Sequence, residues 1–138
     1  MGTNVRKLVY DGYPASSVLG SDLREGYIEA GYKLFRDSKS CRIQFFPSDV
    51  FDIPTNSAGD LVDVPLSQVK ALWQLPNRVT HLYVEALFHL FDEATQYAIA
   101  LRVAILLKRD NGAIVFGRHE GLEIEGFITD NMLRYGCE

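Results

Sequence analysis

Cysteine is scarce: Cys41 and Cys137 form no CxxC pair and are too few for a disulfide framework. That scarcity points to a reducing, cytoplasmic setting. No apolar run approaches the ~20 residues of a membrane-spanning helix, and the first residues lack a signal-peptide pattern. No basic tract interrupts a net charge of −4 and a pI near 5.3, so neither nucleic acid nor an anionic membrane is expected as a partner. GxSxG, HExxH and phosphate-loop patterns are missing, which leaves hydrolase and phosphotransferase chemistry without support. His81, His89 and His119 lack close ligand spacing, and no metal site is expected. What is present is ordinary: 47% hydrophobic and 23% charged residues over 138 positions, enough for one domain spanning 1–138 with a core of its own.

The chain is organised around Val79 to His119. VTHLYVEALFHLF is an almost unbroken apolar and aromatic run, the pattern of a strand buried on both faces of a parallel sheet. Asp92 is placed to cap the next helix, and Glu93 adds negative charge to its first turn, where the helix dipole favours it. Tyr97, Leu101, Ala104 and Ile105 share one side, and Asp110-Asn111-Gly112 supplies the turn that stops the helix. Gly112 to Gly117 is a second, β-branched run. Strand, helix and strand make a crossover unit, whose ligand site lies beyond the strand C-termini, near Glu85, Ala86 and His89.

Upstream, Val5, Leu8 and Val9 share a helical face that ends at Asp11-Gly12-Tyr13-Pro14. Ser17 to Asp22 reads as a short strand, residues 24–37 as an amphipathic helix, and Cys41 to Phe46 as another strand. Residues 55–65 form a polar loop, and Leu66 to Leu75 predicts a helix with Val69, Leu72 and Trp73 inward. The order α-β-α-β-α-β-α-β predicts a three-layer α/β sandwich around a mostly parallel sheet. Beyond His119 the pattern fades.

Two acids carry the functional argument. Asp22 ends one strand just before a helix, where a carboxylate can take both hydroxyls of a ribose or can simply cap the helix. Asp49, in PSDVFD, can accept a bond from an exocyclic amine while Val50 covers a ring, or can serve as a turn residue after Pro47. Together, 27 positions apart with one helix between them, they match the ribose-plus-base arrangement of dinucleotide folds. Glu85 reads either as a contact for the amino end of a ligand or as a loop-facing charge. His81 reads as a core histidine, and His89 as the histidine that lines a pocket.

With Asp22, PSDVFD and ALFHLFD followed by ILLKRDNGAIVFGRHEG in this order, the chain resembles S-adenosylmethionine-dependent methyltransferases of the Rossmann-like class. It is most similar to the small fungal enzymes of terpenoid and polyketide biosynthetic clusters. The resemblance implies S-adenosyl-L-methionine as cofactor, with Asp22 on its ribose, Leu23 beside the adenine, Asp49 on the adenine amine and Val50 adjacent. It implies that the region Glu85 to Leu90, beginning with Glu85 and Ala86, faces the methionine moiety and the acceptor, an oxygen of a small secondary metabolite. The resemblance names no catalytic base; His89 is a candidate from its place past the strand end. Gly2 stands for the last glycine of the family's GxGxG turn. The strand before that turn and the family's last strands are lacking, so the expectation is a form truncated at both ends. A different class of function follows from the same gap: a non-catalytic remnant that pairs with itself, or with a complete homologue, through strand edges left open.

Overall fold

Parallel strand pairing governs both halves of the molecule. The computed structural model describes residues 2–55, 64–110 and 112–119. Helix α1 (Thr3–Tyr10) precedes strand β1 (Leu19–Asp22), helix α2 (Glu25–Phe35) and strand β2 (Gln44–Pro47). Short 3₁₀ turns then lead to strand β3 (His81–Glu85), helix α3 (Glu93–Leu106) and strand β4 (Ile114–Arg118). β1 pairs with β2 in register Leu19 to Gln44 through Asp22 to Pro47, and β3 pairs with β4 from His81–Ile114 through Glu85–Arg118. The alternation of elements thus yields α/β architecture with parallel strands. Among the described residues, however, the strands form two separate pairs and not one sheet.

Local chemistry explains the first half. Gly2 holds a left-handed backbone (φ 73°) at the entry to α1, and a Cβ there would come within 2.6 Å of Phe45. Gly20, buried in β1, leaves room for the same ring. Phe45 in turn lies under the Arg6 guanidinium, 4.6 Å from its centroid, and meets Tyr32 edge-on. Arg6 also donates through Nε to Asp37 at 2.7 Å, which ties α1 to the end of α2. That contact holds the Asp37 carboxyl below the usual aspartate range, while burial pushes the Tyr32 hydroxyl up.

In the second half, Asp92 caps α3 as expected, its Oδ1 accepting from the Thr95 amide at 2.8 Å. The helix stops at Leu106, before Asp110, and its last carbonyls find their partners outside it. Asn77 donates to Ile105, and Arg78 and Val79 donate to Leu106. The buried face of α3 is Ile99, Val103 and Leu106, whereas Tyr97 and Leu101 are exposed. Leu106 joins Phe46, Ile53, Val69 and Leu75 in the core that connects the two strand pairs, with Leu19, Val50 and Leu82 packed on its margin.

Four further expectations are corrected. Residues 66–75 form two 3₁₀ turns, Leu66–Gln68 and Leu72–Gln74. Side chains satisfy the backbone there in place of a helical ladder: Gln74 accepts from the Lys70 and Ala71 amides, and Ser48 accepts from Leu72. Val69 between them is fully buried, while Trp73, expected inside, is 45% exposed. β3 is five residues long and alternates in burial, since its pair has β4 alone as a neighbour. His81 is therefore exposed and meets the Thr80 hydroxyl at 3.1 Å, and it is not a core histidine. The expectations for residues 120–138 and for most of the 55–65 loop lie outside the described residues.

Candidate functional site

The C-terminal ends of β1 and β2 bring the two acids to one rim. Asp22 pairs with Pro47 in the strand register, and Asp49 follows two residues later. The Ser48 amide donates to the Asp22 carbonyl at 3.0 Å, so the ladder runs up to the residue before Asp49. Each carboxylate is oriented by the backbone just beyond it. Asp22 Oδ1 accepts from the Arg24 amide at 3.0 Å, and Asp49 Oδ1 accepts from the Phe51 amide at 2.8 Å. These are short Asx-type turns, which any aspartate in such a loop can make. The second oxygen of each has no hydrogen bond among the described residues and remains an acceptor. The turn-residue reading of these acids is thus seen directly, and each keeps one carboxylate oxygen as an open acceptor.

Apolar groups flank the rim. Leu23 is 63% exposed, beside Asp22. Val50 packs on the margin of the core, and the Phe51 ring carries the Arg102 guanidinium 5.2 Å from its centroid. A shallow hollow of about 340 Å³ lies at the other end of these strands, lined by Pro14, Val18, Leu19, Arg42, Gln44 and Leu66, and it includes neither aspartate.

The end of β3 forms a second group. Glu85 accepts from Asn4 Nδ2 through Oε2 at 2.7 Å and from Arg118 through Oε1 at 2.8 Å. The same Asn4 amide reaches the Tyr83 hydroxyl at 3.1 Å. Burial, and then the adjacent Glu85 carboxylate, push the Tyr83 hydroxyl above its ordinary value. Ala86 then turns the chain in a left-handed conformation (φ 51°), uncommon for a residue with a side chain, while its amide donates to the Arg118 carbonyl. His89, in the 3₁₀ turn Phe88–Leu90, has a buried Nδ1 without a hydrogen-bond partner among the described residues, and its ring centroid is 6.2 Å from that of His119. Buried polar atoms are nearly always paired, and this one finds no partner among the described residues. Among the described residues no group of three potential metal ligands occurs.

Gly2 serves packing: the space its missing Cβ leaves belongs to Phe45 and Arg6. Asn4, Tyr83 and Arg118 went unnoticed in the sequence. An asparagine in the first turn of a helix carries no signal of a partner 81 positions away. The Tyr83–Phe116 and Glu85–Arg118 neighbours were readable only once the β3–β4 register was known.

No protein-family model and no solved structure matches the chain. Curated proteins do. The chain is 32% identical over 121 residues to the O-methyltransferase phiE of Fungal sp. (strain ATCC 74256), an alignment covering 88% of this chain and 36% of that protein. It is 32% identical over 117 residues to the Asnovolin E/Chermesin D methyltransferase nvfJ of Aspergillus novofumigatus, covering 85% and 37% of the two chains. It is 33% identical over 118 residues to the O-methyltransferase atr3 of Stereocaulon alpinum, covering 86% and 30%. The chain spans about a third of the length of the curated relatives it matches.

Proposed function

We propose, from the premise that this chain is a relative of fungal methyltransferases over most of its length, that it is the cofactor-binding part of an S-adenosylmethionine-dependent O-methyltransferase acting on a small secondary metabolite. The observation that carries the proposal is the shared rim of Asp22 and Asp49, each with one oxygen fixed by its own turn and the other open. An adenosine fits that chemistry. Asp22 would take the ribose hydroxyls, Asp49 the adenine amine, and Leu23 and Val50 would lie against the base. Glu85 and Ala86, at the end of β3, would face the methionine part, with Gly2 near it at the head of α1. When bound, the cofactor supplies an electrophilic methyl group. The chain contributes orientation, because methyl transfer gains most from holding the reacting atoms in line at short range. His89, whose buried nitrogen lacks a partner among the described residues, is proposed to face the hydroxyl of the acceptor.

On this proposal the two parallel pairs are the flanks of one Rossmann-like sheet, with a further strand seated between β1 and β3, and residues 1–138 belong to one partial domain. No helix among the described residues is long and apolar enough to cross a membrane. A cytoplasmic setting is proposed from the scarcity of cysteine in the sequence.

Calorimetric titration with S-adenosylmethionine or its demethylated product tests the proposal. Micromolar affinity, lost in Asp22→Ala, is the expected result; absence of binding in the unsubstituted chain contradicts it.

A second reading draws on β4, whose five residues are all exposed and whose outer edge is unpaired among the described residues. Open apolar edges template pairing with another chain. A non-catalytic domain that dimerises through this edge predicts a dimer in sedimentation together with no cofactor binding.

A further inference from the structure

Glu85 has an intramolecular donor on each of its two oxygens, and the two donors differ in how easily they yield. Arg118 reaches Oε1 with a side chain that is 83% exposed. It can swing into water at little cost, as surface ion pairs do. Asn4 reaches Oε2 from the first turn of α1, and that helix is fixed. Two residues before Asn4, Gly2 is packed against Phe45 and Arg6, and two residues after it Arg6 is held by Asp37 and by three aromatic rings. Asn4 is further tied to the Tyr83 hydroxyl, so its amide uses both hydrogens on β3. An ammonium group approaching Glu85 has three donors to place. It meets a carboxylate paired through Oε1 with Arg118 and bonded through Oε2 by the Asn4 amide, which has to give up its bond to Glu85 before the ammonium takes that oxygen.

We infer that Asn4 is a specificity-determining residue that competes with the amino group of an adenosine-type ligand for Glu85, holding down the affinity for amine-bearing ligands relative to the same nucleoside without the amine. The inference rests on the proposed adenosine site at Asp22 and Asp49, and adds to it that the methionine end of that site is occupied by the protein itself until displaced. Its consequence is discrimination: ligands that reach only the Asp22–Asp49 rim are indifferent to Asn4, and ligands that extend to Glu85 are not.

The test is equilibrium binding of two probes, S-adenosylhomocysteine, which carries the amine, and methylthioadenosine, which lacks it, to the full chain and to Asn4→Ala and Asn4→Ser. Removing one competing hydrogen bond at an exposed carboxylate is expected to tighten S-adenosylhomocysteine by roughly 3–10-fold in both variants. Methylthioadenosine affinity stays unchanged. If Asn4 is only a strut between α1 and β3, both probes weaken together, or neither changes, and the inference is overturned while the site at the rim stands. If the unsubstituted chain binds neither probe, the rim reading falls and this inference falls with it.

Discussion

The amide of Ser48 donates to the carbonyl of Asp22 at 3.0 Å, one residue before Asp49. That bond carries the parallel ladder past the last register pair, Asp22–Pro47, and delivers the next residue to the same rim as Asp22. Had the chain turned away at Pro47, the two carboxylates would belong to different surfaces.

The two acids are predicted to differ in weight. Asp22→Asn keeps an oxygen for the Arg24 amide but loses the charge, and should weaken S-adenosylhomocysteine binding by at least tenfold, since bonds to an ionised acceptor are worth about 1.5–3 kcal/mol. Asp49→Asn should cost about threefold, because a carboxamide oxygen can still accept from an amine. Calorimetry on the two variants checks the order, and equal effects would contradict it.

His89 is predicted to matter for turnover and not for cofactor affinity. His89→Ala should retain the dissociation constant for S-adenosylhomocysteine and lower the rate with a hydroxyl acceptor by roughly 100-fold, the scale of positioned proton transfer. Loss of binding and rate in parallel would instead assign the residue to the fold around Phe88 and His119.

Acid should loosen the α1–α2 contact. Because Arg6 holds the Asp37 carboxyl below its unfolded value, the pair contributes stability above the unfolded aspartate range, near pH 3.9, and loses it as pH falls through the lower folded value. The Asp92 cap, lowered by Thr95, acts with the same sign. Denaturant midpoints measured from about pH 5 to 2 should fall less steeply in Asp37→Asn than in the unsubstituted chain. At neutral pH that variant should be about 1–3 kcal/mol less stable.

The face of α3 is also testable. Ile99→Ala removes a fully buried side chain and should cost about 2–5 kcal/mol, whereas Tyr97→Ser, on the exposed side, should change stability by less than about 0.5 kcal/mol. Chemical denaturation of the two variants distinguishes this face from the one read off the spacing of Tyr97 and Leu101.

That last difference shows where sequence was legible and where it was not. Elements with strong local signals were readable: the Asp92 cap, the α1 and α2 helices, and the short runs that became β1, β2 and β4. The inward face of α3 was not, because it is apolar almost all round and periodicity cannot choose among faces. The 66–75 segment has helical spacing, yet Gln74 and Ser48 capture its amides, a tertiary outcome that no window of residues contains. At the site, the positions of Asp22 and Asp49 at strand ends were legible because acid-after-strand is a local pattern. Their sharing of one rim needed the β1–β2 register, and the engagement of Glu85 by Asn4 and Arg118 needed contacts spanning 81 and 33 positions.

The most direct measurement is amide chemical-shift mapping of the full chain titrated with S-adenosylhomocysteine. The account predicts saturable shifts at Leu23, Arg24, Val50 and Phe51, whose amides and side chains frame the two aspartates, with a second set at Glu85 and Ala86. Shifts confined to Ala15, Ser16 and Gln44, around the hollow at the other end of the strands, or none at all, would contradict it.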